Sequence, residues 1–260
     1  MIAIERAGRV LVATLSRPPV NALDAALVRR LGEVLDEAVG DGFSVLHFRS
    51  DQKTFCAGAD LALMRSCFAR EDGADAMLEV VIQMQRVYAR IEAAPVVSIA
   101  EIGGAALGGG LELALACDLR IAATDAPLGL PEAQLGLVPG AGGTQRLTRA
   151  CGPAAAKRLI LGAEVIDGAE AQRLGVVQWC ARRNDLADKA RSVAQNIAAL
   201  PRAALAAAKH CISAYGHPTR NGFVEELAGT RALYGDPETR RKVTDFLNRS
   251  KSENRVKETS

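Results

Sequence analysis

Apolar and polar residues alternate along positions 2–15 and then meet Arg17-Pro18-Pro19, which predicts two short strands followed by a turn. The period then lengthens. Leu27, Leu31, Val34 and Leu35 fall on one side of a helix that Asp24 can cap, that runs to about Val39 and that Gly40 ends. Ser44–Phe48 predicts a buried strand, residues 50–60 a loop, and Asp60 the start of another helix. A longer helix is expected from about Ala74 to Ala93, stopped by Pro95, with a strand over Val96–Ile102 behind it. A glycine cluster, a short apolar helix and a strand over Leu119–Ala123 follow.

Strand and helix therefore alternate through the first half, which predicts an α/β layered fold rather than a helix bundle. From Pro153 onward the pattern is mostly helical, punctuated by Asp167, Pro201 and Asp236-Pro237. The charged tail Arg249–Ser260 is expected to be a frayed terminus rather than a binding arm. No repeat of fixed period and no linker stands out.

A chain of 260 residues leaves room for one large domain, or for one domain with a smaller appendage. Its 49% hydrophobic and 24% charged residues exclude a wholly disordered protein. A net charge of +2 gives no general reason to expect nucleic acid or an anionic membrane as partner. The most apolar stretch, Gly103–Ala116, is short, glycine-rich and interrupted by Glu112, so no membrane span is expected. Glu5, Arg6 and Arg9 break any signal-peptide core, and a cytoplasmic location is expected. The six cysteines form no C-x-x-C pair and read as small buried hydrophobes. The three histidines form no zinc pattern, so no metal is expected.

Several chemistries are missing. There is neither the G-x-S-x-G of a serine hydrolase nor the phosphate loop G-x-x-x-x-G-K. The runs Gly108–Leu113 and Gly140–Gln145 both fail the last position of a dinucleotide fingerprint.

Three features carry candidate chemistry. In Phe55-Cys56-Ala57-Gly58-Ala59-Asp60-Leu61 a strand feeds small residues whose N–H groups are exposed, although a simple tight turn would read the same way. In Gly103–Glu112 three consecutive glycines allow close approach to the backbone, either for helix–sheet packing or for a ligand. A helix starting there would turn unpaired N–H groups and a positive dipole end toward a developing oxyanion. The third feature is a pair of carboxylates. Glu112 interrupts an apolar helix and is expected to be buried with a raised pKa, and Glu132 lies in a turn-rich apolar stretch as a helix-start residue or a cavity residue. Two carboxylates facing one cavity can divide acid and base roles, but sequence alone does not bring them together.

In this order and spacing, RPPVNAL at residues 17–23, FCAGADL, GGAALGGGLELALACDLRIAA and PEAQLGLVPGAGGTQRL resemble the enoyl-CoA hydratase/isomerase, or crotonase, superfamily over nearly the whole chain. The resemblance implies a spiral of ββα turns over residues 1–200 and a helical C-terminal region over 201–260 that makes trimer contacts, with dimers of trimers common. It implies an acyl-CoA thioester substrate and an oxyanion hole built from the backbone N–H groups of Ala59 and Gly109. Glu112 is implied as the base that directs water to Cβ, and Glu132 as the acid that protonates Cα. Val20, Ala57, Asp60, Leu61 and Gly140 match substrate-binding positions, and no cofactor is needed. The implied reaction is reversible syn hydration of a trans-2-enoyl-CoA. Its rivals are a double-bond isomerase and a dehydratase of a specialised acyl-CoA. More distant rivals are an RNA-binding relative, disfavoured because Glu33, Asp36 and Glu37 balance Arg29 and Arg30, and an inactive scaffold. Two positions depart from the family pattern. Ala62 stands where many hydratases carry Lys, with Arg65 one turn later as a candidate substitute, and Gly103 stands where many carry Asn. The stretch Met64–Met84 is expected to line the acyl tunnel.

Overall fold

A computed structural model describes the backbone of residues 1–258 and the side chains of residues 1–248. The chain divides into two compact units, Met1–Ile197 and Ala198–Ser260. In the first unit, β1 (Ile2–Ala7) and β2 (Val10–Leu15) form an antiparallel hairpin. Beyond β2 the sheet is parallel. It adds β3 (Val45–Ser50), β4 (Val97–Ile102), β6 (Leu119–Ala123) and β9 (Trp179–Ala181) in the order β1-β2-β3-β4-β6-β9. Inner strands of a parallel sheet are covered on both faces, which is why β3 opens on an unbroken buried run, Val45 to Phe48.

After each inner strand the chain steps sideways into a second, shorter ladder before turning into a helix. Leu23 bridges Ala59, and Cys56 bridges Ala106. β5 (Ala106–Leu107) then pairs with β7 (Leu128–Gly129), and β7 pairs with β8 (Val165–Ile166). Strand, short bridging segment and helix thus recur as a ββα spiral, the fold class expected from the motifs.

Helices follow local rules. α1 (Ala25–Gly40) begins at Asp24, whose carboxylate accepts the Leu27 N–H at 2.8 Å. It packs on α3 (Gly73–Ala93), where Gly32 comes close enough that a Cβ would lie 3.2 Å from the Arg90 guanidinium. α2 (Leu61–Phe68) is capped by Asp60. α4 (Gly109–Ala116) is buried along its entire length. Buried Arg120 satisfies its last carbonyls, donating to Ala114 at 3.2 Å and Cys117 at 2.6 Å.

The region read as mostly helical after Pro153 is interrupted by β8 and β9, two very short strands with no room for a period-2 signal. α5 (Gly143–Leu161) starts ten residues before Pro153 and breaks at Gly152, which takes φ 78°. α6 (Gly168–Arg173) and α7 (Leu186–Ala198) complete the first unit. Cys56, Cys67 and Cys117 are buried, as expected for small hydrophobes, whereas Cys151, Cys180 and Cys211 are only partly so.

The second unit holds α8 (Arg202–Ser213), α9 (Gly222–Gly235) and α10 (Pro237–Glu258). α8 and α9 pack through small residues: a Cβ on Gly229 would lie 3.7 Å from Ala207. The frayed tail expected over Arg249–Ser260 falls where only the backbone to Glu258 is described, and that backbone continues α10. Among the described residues, no helix is long and apolar enough to cross a membrane.

Candidate active site

Two glycine-bearing turns meet at the start of α4. Gly58 takes φ 92° and Gly108 φ 51°, both in the left-handed region that favours glycine. A Cβ on Gly58 would lie 2.9 Å from the Leu107 carbonyl and 3.2 Å from the Gly109 nitrogen, so only glycine lets the turns touch. The Leu23–Ala59 bridge uses the N–H of Leu23, bonded to Gly58 O at 2.8 Å, and the N–H of Asp60, bonded to Leu23 O at 3.0 Å. The Ala59 N–H takes no part in that bridge. Gly109 is the first residue of α4, and the first intrahelical bond runs from Glu112 N–H to Gly108 O at 3.0 Å. Its own N–H is one of the terminal donors that a helix leaves unpaired. Two turns in van der Waals contact thus each contribute an N–H outside the local ladders.

Glu112, in the first turn of α4, is only 2% exposed. Its Oε1 accepts the N–H of Gly143 at 2.7 Å, from the N-terminus of α5. Burial pushes its pKa up to about 7, the Gly143 N–H opposes that rise, and the charge of Glu132 adds to it. Glu132 follows Pro131 in a 3-10 turn, Pro131–Leu135, closed by Gly136 in the left-handed conformation. Burial also raises its pKa. A Cβ on Gly108 would come within 3.0 Å of Glu132 Oε1, which sets this carboxylate against the turn that begins α4. Glu132 Oε2 is buried and has no hydrogen-bond partner among the described residues. A buried acceptor left open in this way is suited to a water or a substrate proton.

A groove of about 360 Å³ is lined by Val20, Ala57, Ala59, Asp60, Leu61 and Ala62, and Arg17 lines it too. Five of the residues singled out from sequence are thereby gathered in one place. Gly140 is placed elsewhere: its carbonyl accepts from Gln85 Nε2 at 2.6 Å, and a Cβ there would lie 3.1 Å from Val81, so it seats the loop after Glu132 on α3. Arg65 is exposed in the last turn of α2 and does not line the groove. Of the stretch expected to line an acyl tunnel, Met84 reaches the site, since a Cβ on Gly109 would meet its Cε at 2.8 Å.

Three supporting residues escape sequence reading. Gly143 belongs to a glycine run that fails a dinucleotide fingerprint and that carries part of the family resemblance, and neither gives Gly143 itself a role. Tyr88, fully buried, donates to the Gly109 carbonyl at 3.0 Å. Arg146 lies 5.9 Å over the Tyr88 ring, holds Glu92 at 2.6 Å and donates to Ala141 O at 2.7 Å. It thereby fixes the loop that delivers the Gly143 N–H.

The chain is similar in sequence and fold to known proteins. The family model described as enoyl-CoA hydratase/isomerase matches residues 5–253. A Bacillus subtilis (strain 168) protein named "Probable enoyl-CoA hydratase" is 42% identical over 191 residues, covering 73% of this chain and 72% of its own. A short-chain-enoyl-CoA hydratase of Clostridium acetobutylicum is 35% identical over 215 residues, covering 82% and 80%. The crystal structure of an enoyl-CoA hydratase from Bacillus anthracis superposes with a TM-score of 0.88 at 32% identity, covering 95% and 96%.

Proposed function

The chain belongs to the enoyl-CoA hydratase/isomerase family, and from that membership we propose that it is an enoyl-CoA hydratase, adding water reversibly and syn across the double bond of a trans-2-enoyl-CoA. The observation that carries this reading is the pair Glu112, in the first turn of α4, and Glu132, set against the turn that begins it, each with its pKa raised by burial and the charge of Glu132 acting on Glu112. An isomerase needs one group to move a proton. A hydratase needs one to direct water and a second to protonate carbon.

The thioester oxygen accepts the N–H groups of Ala59 and Gly109. As water adds at Cβ this oxygen becomes enolate-like, and two fixed donors at a helix N-terminus stabilise that charge. Losing one such donor costs about 3 kcal/mol of transition-state stabilisation. The two carboxylates share one proton, and the reactive form is the one that carries it on Glu132: Glu112, then ionised, takes a proton from the water whose oxygen bonds to Cβ. Glu132, protonated, gives its proton to Cα. One proton is taken up and one delivered, and dehydration runs the same steps backwards. Two carboxylates beside one water favour a single shared proton, so kcat is expected to fall as pH rises through about 7, where that proton leaves, and to fall again at acid pH, where both are protonated. The groove at Val20, Ala57, Asp60 and Leu61 holds the CoA portion, with Gly140 seating the loop behind Glu132. No metal or redox cofactor enters the reaction, which belongs to cytoplasmic breakdown of fatty or related acyl chains. The second unit exposes Ile212, Tyr215, Phe223 and Leu227, each more than 70% accessible, which supports assembly into a trimer or a dimer of trimers.

The test is hydration of crotonyl-CoA, followed as loss of the conjugated thioester absorbance with products identified by mass. Gain of one water supports the proposal. A shifted double bond with no change in mass replaces it with an isomerase.

A further inference from the structure

Three bonds leave one guanidinium in the lining of the groove. Arg17 Nη1 donates to the Ala22 carbonyl at 2.7 Å, while Nη2 lies 2.8 Å from Asp60 Oδ2 and 3.0 Å from Asp24 Oδ2. Both aspartates are helix caps that use the other oxygen on their own helix. Asp24 Oδ1 takes the Leu27 N–H of α1, and Asp60 Oδ1 takes the Ala62 and Leu63 N–H groups of α2. Between the two caps runs the Leu23–Ala59 bridge. The same segment is held from inside by Asn21, fully buried at φ 52°, whose amide donates to Phe55 O at 3.0 Å and accepts from Arg17 N–H at 2.7 Å.

We infer that Arg17 is a positioning residue that clasps both helix caps and so fixes the direction of the Ala59 N–H. The inference rests on the hydratase reading for the role of that N–H. The ion pairs are partly exposed, so they add little to stability, but a planar fork constrains orientation in a way a point charge does not. Although Arg17 lines the groove, two carboxylates already oppose its charge, which leaves no net cation there for a phosphate.

Arg17→Met keeps a stem and removes the fork. The expected result is a kcat for crotonyl-CoA lower by about 100-fold, the scale of a small misplacement of a reacting group, with KM nearly unchanged. Arg17→Lys, which keeps the charge without the fork, should recover only part of this loss. In an Asp60→Asn background Arg17→Met should add little, giving a strongly non-additive cycle. A second readout needs no hydration. Acetoacetyl-CoA bound as its enolate absorbs in the near ultraviolet, and this band should weaken in Arg17→Met at equal occupancy.

Unchanged kcat with raised KM would make Arg17 a ligand contact and overturn the inference, as would additive effects of Arg17→Met and Asp60→Asn. If the wild type adds no water yet forms the enolate band, the hydratase reading fails and the band alone decides the role of Arg17. If Arg17→Met does not fold, Arg17→Lys and Asp60→Asn carry the same comparison.

Discussion

At the scale of single residues, Glu112 shows how catalytic competence works against stability. Its folded-state pKa of about 7 lies above the ordinary 4.5, so the folded chain holds this proton more tightly than the unfolded one. Stability is therefore lost as pH rises from about 4.5 through 7, and near pH 8 the full cost of a buried charge is present. Glu112→Gln keeps an acceptor for Gly143 and removes that cost. It is expected to stabilise the protein by up to about 3 kcal/mol near pH 8 and by nothing near pH 4, measured by urea unfolding at both. The same variant should lose about 10²- to 10⁴-fold of its hydration rate, the contribution of a general base. The burial of Glu112 was legible in sequence, because a helix that is apolar all round must be inside. Its partner was not: a backbone N–H thirty-one positions away leaves no mark on composition or period.

At the scale of elements, the N-terminus of α4 is tolerant in one direction and rigid in another. A Cβ on Gly110 would overlap the Cys56 carbonyl, a backbone atom in the second ladder, whereas on Gly109 it would meet the flexible end of Met84. Gly110→Ala is expected to destabilise by about 1–3 kcal/mol through forced backbone movement, and Gly109→Ala by less, read from the shift in denaturant midpoint at constant slope. The long elements were legible because their periods persist: α1 begins at the cap expected of it, and β4 and β6 lie within one residue of their expected bounds. The second ladder was not, because its strands are two residues long or single bridges, and a period cannot repeat within them. β9 was lost among helices for the same reason. The ladder nevertheless brings residues 56, 59 and 106 to one place, so the site is assembled by the part of the fold that propensity reads least.

At the scale of the whole molecule, the second unit carries apolar side chains that are exposed among the described residues. Along α8 and α9 a groove of about 1080 Å³ is lined by residues such as Ala208, Cys211, Tyr215 and Phe223. If this face joins subunits, Phe223→Glu together with Leu227→Glu should lower the mass in sedimentation from a threefold or sixfold multiple to the monomer, and an unchanged mass would show that assembly uses another surface. The first unit has a property of a different kind. Its strand order β1-β2-β3-β4-β6-β9 rises with chain order. Each strand leaving the ribosome therefore meets a partner that has already been made, and the coil grows at one end only. A nascent chain that has laid down Ala59 still lacks Gly109, and one that has laid down Glu112 still lacks Glu132 and the Gly143 N–H. The pair of carboxylates is therefore complete only once Gly143 has been made, and a chain that stops before that point never carries a working pair.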